Sequence, residues 1–307
     1  MGALVSGQWT NNDQRRTGSQ GEFVRLESTF RGWIGDAAFP SASGRYHLFA
    51  NPGCPWAYRS LLYREIKGLA EHISVSLTQP AAGPEGWTFG EEGEGLLGAR
   101  HIHQVYTAAD QRFTGRCTVP ILWDIERKTI VNNESSEIIR MFNSAFDMLD
   151  GVAEVNFYPH ALRDEIDELN ELIYRAINNG VYRCGFAQSQ SAYEQAFKEL
   201  FATLDMLDER LAARRYLCGD EITEADWRLF ATLVRFDTAY YSQFRCNRNM
   251  LKDYVYLWPY TRDLYQQAHV AETVDIEAIK GIYFGSRLPG IIPLGPVLDF
   301  SEPHGRH

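Results

Sequence analysis

The chain has 307 residues, enough for two domains of the usual ~150 residues each, and its 45% hydrophobic and 23% charged content excludes wholesale disorder and collagen-like repeats. Thirty Lys and Arg against 40 Asp and Glu leave a net charge of −10, a poor match to a nucleic-acid backbone. The longest runs without Asp, Glu, Lys or Arg, such as Tyr46 to Tyr58, span 13 residues. A bilayer-spanning helix needs roughly 20 apolar residues, so no membrane partner is expected.

The N-terminal MGALVSGQWT lacks a basic segment followed by an apolar one, so no secretory signal is expected. The five cysteines stand at 54, 117, 184, 218 and 246, without a Cys-x-x-Cys pair and without metal-ligand spacing to a nearby His. They read as reduced thiols, which implies a cytoplasmic location. No Gly-x-Gly-x-x-Gly or Walker loop occurs, so no metal, flavin or nucleotide is expected.

In chain order, residues 1–44 form an N-terminal extension. From 45 to about 150, short β-like runs alternate with helices: Tyr46–Phe49, Ile73–Leu77, Val119–Trp123 and Thr129–Val131, with helices opening at Pro55 and Glu134. The Gly- and Glu-rich stretch Pro80–Gly98 reads as a long surface loop of the kind that is either functional or mobile. After residue 155 the periodicity is helical throughout, and 155–307 is expected to be an all-helical domain with a C-terminal tail. Leu162, Ile166, Leu169, Ile173 and Ile177 share one face, as do Tyr193, Phe197, Leu200, Leu204, Leu207 and Leu211. Ser191 with Glu194 reads as a capping box for the second of these helices, and Thr223 with Asp226 opens a third. The fold class is α/β plus all-α.

Three local patterns carry chemistry. In Asn51-Pro52-Gly53-Cys54-Pro55-Trp56-Ala57, Pro55 suits the first position of a helix, which puts Cys54 at its N-cap. Unpaired backbone N–H groups and the helix dipole there lower a thiol's pKa from about 8.5 toward 3.5–7.5, favouring the nucleophilic thiolate. Ala57 replaces the resolving cysteine of a dithiol enzyme, so an outside thiol must release any mixed disulfide. The alternative is a structural cysteine beside a turn. In Thr118-Val119-Pro120-Ile121, a cis proline would expose the Val119 N–H and C=O to an extended ligand, whereas an edge-strand proline would not. Glu134-Ser135 begins a helix and either binds a ligand anion or simply caps.

Together these motifs resemble the thioredoxin-like glutathione transferase architecture, an N-terminal thioredoxin-like glutathione-binding domain followed by an all-helical domain. Cys54-Pro55-Trp56-Ala57 looks like the active-site motif of the Xi class, the glutathionyl-hydroquinone reductases. The resemblance runs along nearly the whole chain, through Trp33-Ile34-Gly35-Asp36, Gly180-Val181-Tyr182-Arg183, Phe244-Arg245-Cys246-Asn247 and the tail Gly290-Ile291-Ile292-Pro293-Leu294-Gly295-Pro296.

The resemblance implies glutathione as co-substrate and glutathionylated quinols as substrates. It implies Cys54 as the residue that takes glutathione into a mixed disulfide. Val119 would pair with the cysteinyl backbone of glutathione, Glu134 and Ser135 with its γ-glutamyl end, and Trp87 would cover it. Tyr182 and Tyr283 match active-site tyrosines able to protonate the ring, and Tyr240 is a third candidate for the aromatic pocket. Tyr241, Ile282 and Phe284 depart from the family pattern around that pocket. Arg100, Arg112 and Arg116 are each open as the basic residue that grips glutathione. A homodimer is implied. Two other readings share these features: an omega-like thiol transferase or dehydroascorbate reductase, and a non-catalytic transferase-like interaction module.

Overall fold

The computed structural model describes residues 2–11, 16–286 and 290–306. Two antiparallel hairpins come first, β1 (Ala3–Val5) with β2 (Gln8–Thr10) and β3 (Arg16–Thr17) with β4 (Phe23–Val24). The central sheet follows: β5 (Tyr46–Ala50), β6 (Ile73–Leu77), β7 (Ile121–Asp124) and β8 (Thr129–Asn132), in the order β6-β5-β7-β8. Strand β5 is parallel to β6 and antiparallel to β7, which is antiparallel to β8. The parallel pair needs a crossover, and α1 (Pro55–Ile66) supplies it. All five residues of β5 are buried, which fits a central strand covered on both faces. Helices α2 (Ile102–Ala109) and α3 (Ser135–Ser144) complete this layer, with α3 packed on α1.

The helical part comprises α4 (Arg163–Ile173), α5 (Gly180–Phe186), α6 (Gln190–Ala213), α7 (Glu224–Arg235), the short α8 (Tyr241–Gln243) and α9 (Leu257–Tyr265). Every residue of α7 is buried. Its start is held as expected by Thr223, whose N–H and Oγ1 both donate to Asp226 at 2.8 Å. The start of α6 differs from expectation. Its cap is Ser189, whose Oγ accepts from the Ala192 N–H at 3.2 Å, and Ser191 already lies inside the helix. Ser189 has the extended backbone a cap needs, and the Ser-x-x-Glu pattern two residues later misplaced the boundary. A last helix, α10 (Ile276–Lys280), runs into a π-helical turn at Gly281–Gly285.

Packing divides the chain into two compact units. One holds Met1–Gln14, Glu27–Val155 and Thr273–Ile292; the other holds Arg15–Leu26, Asn156–Glu272 and Pro293–His307. These limits differ from boundaries at 44, 150 and 155, because the segment carrying α10 returns to the sheet-containing unit and Arg15–Leu26 leaves the N-terminal extension for the helical one. No described helix is long and apolar enough to cross a membrane.

His47, the second residue of β5, is buried and holds Ser74 Oγ at 2.7 Å through Nδ1 and Ser76 Oγ at 3.0 Å through Nε2. Burial pushes its pKa down to about 4 from the ordinary 6.5. Below pH 6.5 the unfolded chain therefore binds a proton that the folded one refuses, so stability falls as pH drops from 6.5 to about 4 and levels off below. The loss amounts to about 3 kcal/mol. Urea unfolding of wild type and His47→Asn at pH 7 and pH 4.5 should show a steeper loss in the wild type.

Candidate active site

Strand β5 ends at Ala50 and α1 begins at Pro55, so Asn51–Cys54 forms the turn between them. Cys54 is the N-cap of α1, with extended dihedrals of φ −77° and ψ 122°, and Pro55 occupies the first turn. The sulfur-bearing residue is buried at the helix end where backbone N–H groups and the dipole favour negative charge. The turn is set by Asn51, which is fully buried. Its Oδ1 accepts from the N–H groups of Gly53 at 2.9 Å and Cys54 at 3.2 Å. Its Nδ2 donates to Thr78 Oγ1 and to the Gln79 carbonyl, both at 2.9 Å. One side chain thus shapes the nucleophile's turn and ties it to the start of the long loop.

The C-terminal segment of the same unit lies against this turn. A Cβ on Gly53 would stand 2.4 Å from the Ala278 carbonyl oxygen and 3.1 Å from Ile282 Cγ2, so only glycine admits α10 this closely. Gly281 approaches the loop in the same way, its Cβ position lying 2.7 Å from Pro80 Cβ. Tyr283 sits buried on the π-helical turn between Ile282 and Phe284. Two of the three departures from the family pattern therefore flank Tyr283, and one packs directly on the turn before Cys54.

The Val119–Pro120 bond is cis, as one of the two readings had it. Residues Phe49 and Ile121 are paired, and two residues further along each chain come Asn51 and Val119. Val119 is buried, and its N–H and C=O take no backbone partner among the described residues. Glu134 caps α3, accepting from the Ser136 N–H at 3.1 Å, Ser136 Oγ at 3.0 Å and Ser28 Oγ at 3.0 Å. Ser135 is buried and its Oγ receives Arg59 Nη1 at 3.4 Å. Tyr106 joins the two segments: its hydroxyl donates to the Thr118 carbonyl at 3.0 Å and accepts from Asn133 Nδ2 at 3.0 Å. Trp87 is buried on the long loop. That loop is organised by the Glu94 carboxylate, which accepts from the N–H groups of Leu96 at 2.7 Å, Leu97 at 2.8 Å and Ala99 at 3.0 Å.

Cys54, Trp87, Val119, Glu134, Ser135 and Tyr283 therefore share one unit. Tyr182 and Tyr240 belong to the other. Their rings are 6.1 Å apart, and each packs on Phe244, at 5.2 and 5.4 Å. Tyr240 is fully buried, while Tyr182 is half-buried under the Arg25 guanidinium at 4.8 Å.

Sequence reasoning missed Asn51, Arg59 and Tyr106 as residues that shape the site. Arg59 is a buried cation on a helix whose neighbours Ala57, Tyr58 and Leu62 are buried too, and a lone Arg on an apolar face was the available signal. Of the arginines it weighed, Arg100 and Arg112 are exposed and Arg116 is half-buried.

Comparison with known proteins gives the family. Residues 53–145 match the glutathione S-transferase N-terminal domain and residues 190–263 the C-terminal domain. Glutathionyl-hydroquinone reductase YqjG of Escherichia coli is 45% identical over 100% of this chain and 98% of its own. Glutathionyl-hydroquinone reductase PcpF of Sphingobium chlorophenolicum is 48% identical over 96% of each chain. A Xi class transferase from Natrialba magadii superposes with a TM-score of 0.91 at 42% identity, covering 100% of this chain and 96% of its own. The glutathione-bound structure of YqjG superposes with a TM-score of 0.90 at 42% identity, covering 99% and 98%. The chain belongs to the glutathione S-transferase family, in its Xi class of glutathionyl-hydroquinone reductases.

Asn51 generates a direct prediction. Asn51→Ala removes the acceptor of two turn N–H groups and a donor to two loop oxygens, at a cost of about 2–3 kcal/mol. Urea unfolding should show that loss, and iodoacetamide should alkylate Cys54 more slowly at neutral pH as the turn loosens.

Proposed function

We propose that the protein reduces S-glutathionyl-hydroquinones to hydroquinones, with Cys54 as nucleophile and glutathione as co-substrate. The observation that carries this reading is the position of Cys54 at the N-cap of α1, in a chain that matches two named glutathionyl-hydroquinone reductases end to end. The Cys54 thiolate attacks the glutathione sulfur of the substrate and forms a disulfide. The sulfur–carbon bond breaks, its electron pair stays on the ring carbon, and a tyrosine hydroxyl protonates that carbon. A second glutathione thiolate then attacks the glutathione sulfur of the mixed disulfide, releasing oxidised glutathione and restoring the Cys54 thiolate.

Glutathione binding is assigned to Val119, Glu134, Ser135 and Trp87. The Val119 backbone, without a backbone partner among the described residues, supports a ladder with an extended peptide, and the α3 start supports a carboxylate. Tyr182 and Tyr283 are the two candidate ring acids, Tyr283 in the same unit as Cys54 and Tyr182 in the other, and both with Tyr240 are assigned to the ring pocket on the family resemblance. A homodimer is likewise proposed on that resemblance, and a cytoplasmic location on the reading of the cysteines as reduced thiols.

The test follows release of hydroquinone from glutathionyl-hydroquinone with added glutathione, recording the protein's intact mass. Wild type should release product and carry one glutathione on Cys54, and Cys54→Ala should do neither. An adduct without release would favour the omega-like thiol transferase, and neither signal would favour the interaction module. Tyr182→Phe and Tyr283→Phe separate ring protonation from thiol exchange. The proton donor's variant should lose about 10²–10⁴-fold on the quinol substrate while keeping its rate on a simple mixed disulfide. Loss on both substrates, or on neither in either variant, would count against the tyrosine assignment.

A further inference from the structure

The sequence reading expected no metal, because it looked for ligands near the cysteines. Folding assembles a different group. Glu85 stands on the long loop two residues before Trp87, and His101 and His103 stand at the start of α2. Glu85 Oε2 lies 3.3 Å from His101 Nε2 and 3.3 Å from His103 Nε2. The three ligand-type atoms all lie within 4.8 Å of one another.

The two Glu85 distances fit a shared metal ligand better than a pair of charge-assisted hydrogen bonds. Charge-assisted N–H···O bonds prefer about 2.7–2.9 Å, so one carboxylate oxygen shared by two imidazoles at 3.3 Å makes neither bond well. Metal–ligand bonds of about 2.0–2.1 Å in a tetrahedral site instead put neighbouring ligand atoms about 3.3–3.4 Å apart, as both Glu85–histidine spacings are, and the two histidines, within 4.8 Å of each other, close onto the ion when it binds. The rings are also held in place beforehand. His101 and His103 are nearly parallel, with centroids 5.3 Å apart and an interplanar angle of 5°, and Trp9 stacks on His103 at 4.8 Å. Trp9 Nε1 donates to the Pro84 carbonyl at 3.2 Å, which fixes the residue before Glu85. His101 Nδ1 is buried, which leaves the Nε2 edge of that ring facing Glu85. Every residue named lies in the same compact unit.

We propose that Glu85, His101 and His103 bind a divalent first-row transition ion, with zinc as the natural occupant. Two imidazoles and one carboxylate suit zinc, cobalt or nickel better than calcium or magnesium, which want oxygen ligands. Three protein ligands leave a fourth position to water, and the half-exposed Glu85 gives the ion its way in. The ion would join the loop that carries Trp87 to the first turn of α2. The site stands on these side chains and does not depend on the glutathione reaction.

The probe is Co2+, titrated into the metal-stripped, reduced, full-length protein without glutathione and followed by visible absorption. Wild type should saturate at one equivalent, with cobalt d–d bands and no sulfur-to-cobalt charge-transfer band. Glu85→Gln and His103→Gln should each weaken binding by about tenfold or more, while Cys54→Ala should bind as the wild type does. Glu85 is half-exposed, so its substitution tests the site without threatening the fold, and matching melting curves of the metal-free proteins check this. Three results would overturn the proposal: no saturable binding, unchanged affinity in Glu85→Gln, or a thiolate band that disappears in Cys54→Ala.

Discussion

The buried amide of Asn51 is the constraint on which the site depends. It stands at the point where β5 runs out of ladder partners, and its side-chain oxygen accepts from two N–H groups of the turn into α1. Its amide nitrogen binds Thr78 and Gln79, at the corresponding exit from the parallel strand β6. A buried amide that engages both ends of its dipole has one satisfactory orientation. The turn is therefore locked to the neighbouring strand, and Cys54 gains a fixed place above the first turn of α1. Tyr106 does comparable work one strand away, joining the segment before Val119 to the segment before Glu134 with a single hydroxyl. Burial holds that hydroxyl's pKa up to about 12, so it stays a neutral donor and acceptor.

A second constraint is steric. Gly53 and Gly281 face different neighbours, yet both mark places where the segment carrying α10 meets the nucleophile's turn and the loop behind it. The absence of a Cβ lets backbone pack on backbone, and that contact sets where Tyr283 begins. Ile282 and Phe284 stand beside it where the family pattern has other residues.

Much of this architecture was legible from local signals. Pro55 marked the start of α1, alternation and apolar runs marked the strands of the central sheet, and the Thr223–Asp226 pair marked α7, because each depends on residues close in sequence. The start of α6 was misread where two serines compete for one cap. What the sequence hid is long-range. The return of Thr273–Ile292 to the sheet unit has no local signature, since its periodicity is the same whichever unit it covers. Asn51, Arg59 and Tyr106 act through partners as far away as residue 135, and Glu85 meets its histidines only once the loop has closed. Cys54 was legible because helix capping is local; the residues that support it were not.

The other cysteines explain why the proposed chemistry uses one protein thiol. Ala57, where a dithiol enzyme would carry its resolving cysteine, is fully buried on α1. Cys117, in the same unit as Cys54, has its thiol pushed up to about 12 by burial, and Cys218 is pushed up to about 11 for the same reason. Cys246 is raised well above its ordinary value, again chiefly by burial. At neutral pH such groups hold almost no thiolate, and thiol–disulfide exchange needs the thiolate. A glutathione left on Cys54 thus finds no competent attacker among these three. In the proposed mechanism the second thiol comes from solution, where glutathione is a main small thiol of reducing compartments. The helix end that favours a thiolate on Cys54 also makes Cys54 a good leaving group, so the feature that drives the first attack assists the second.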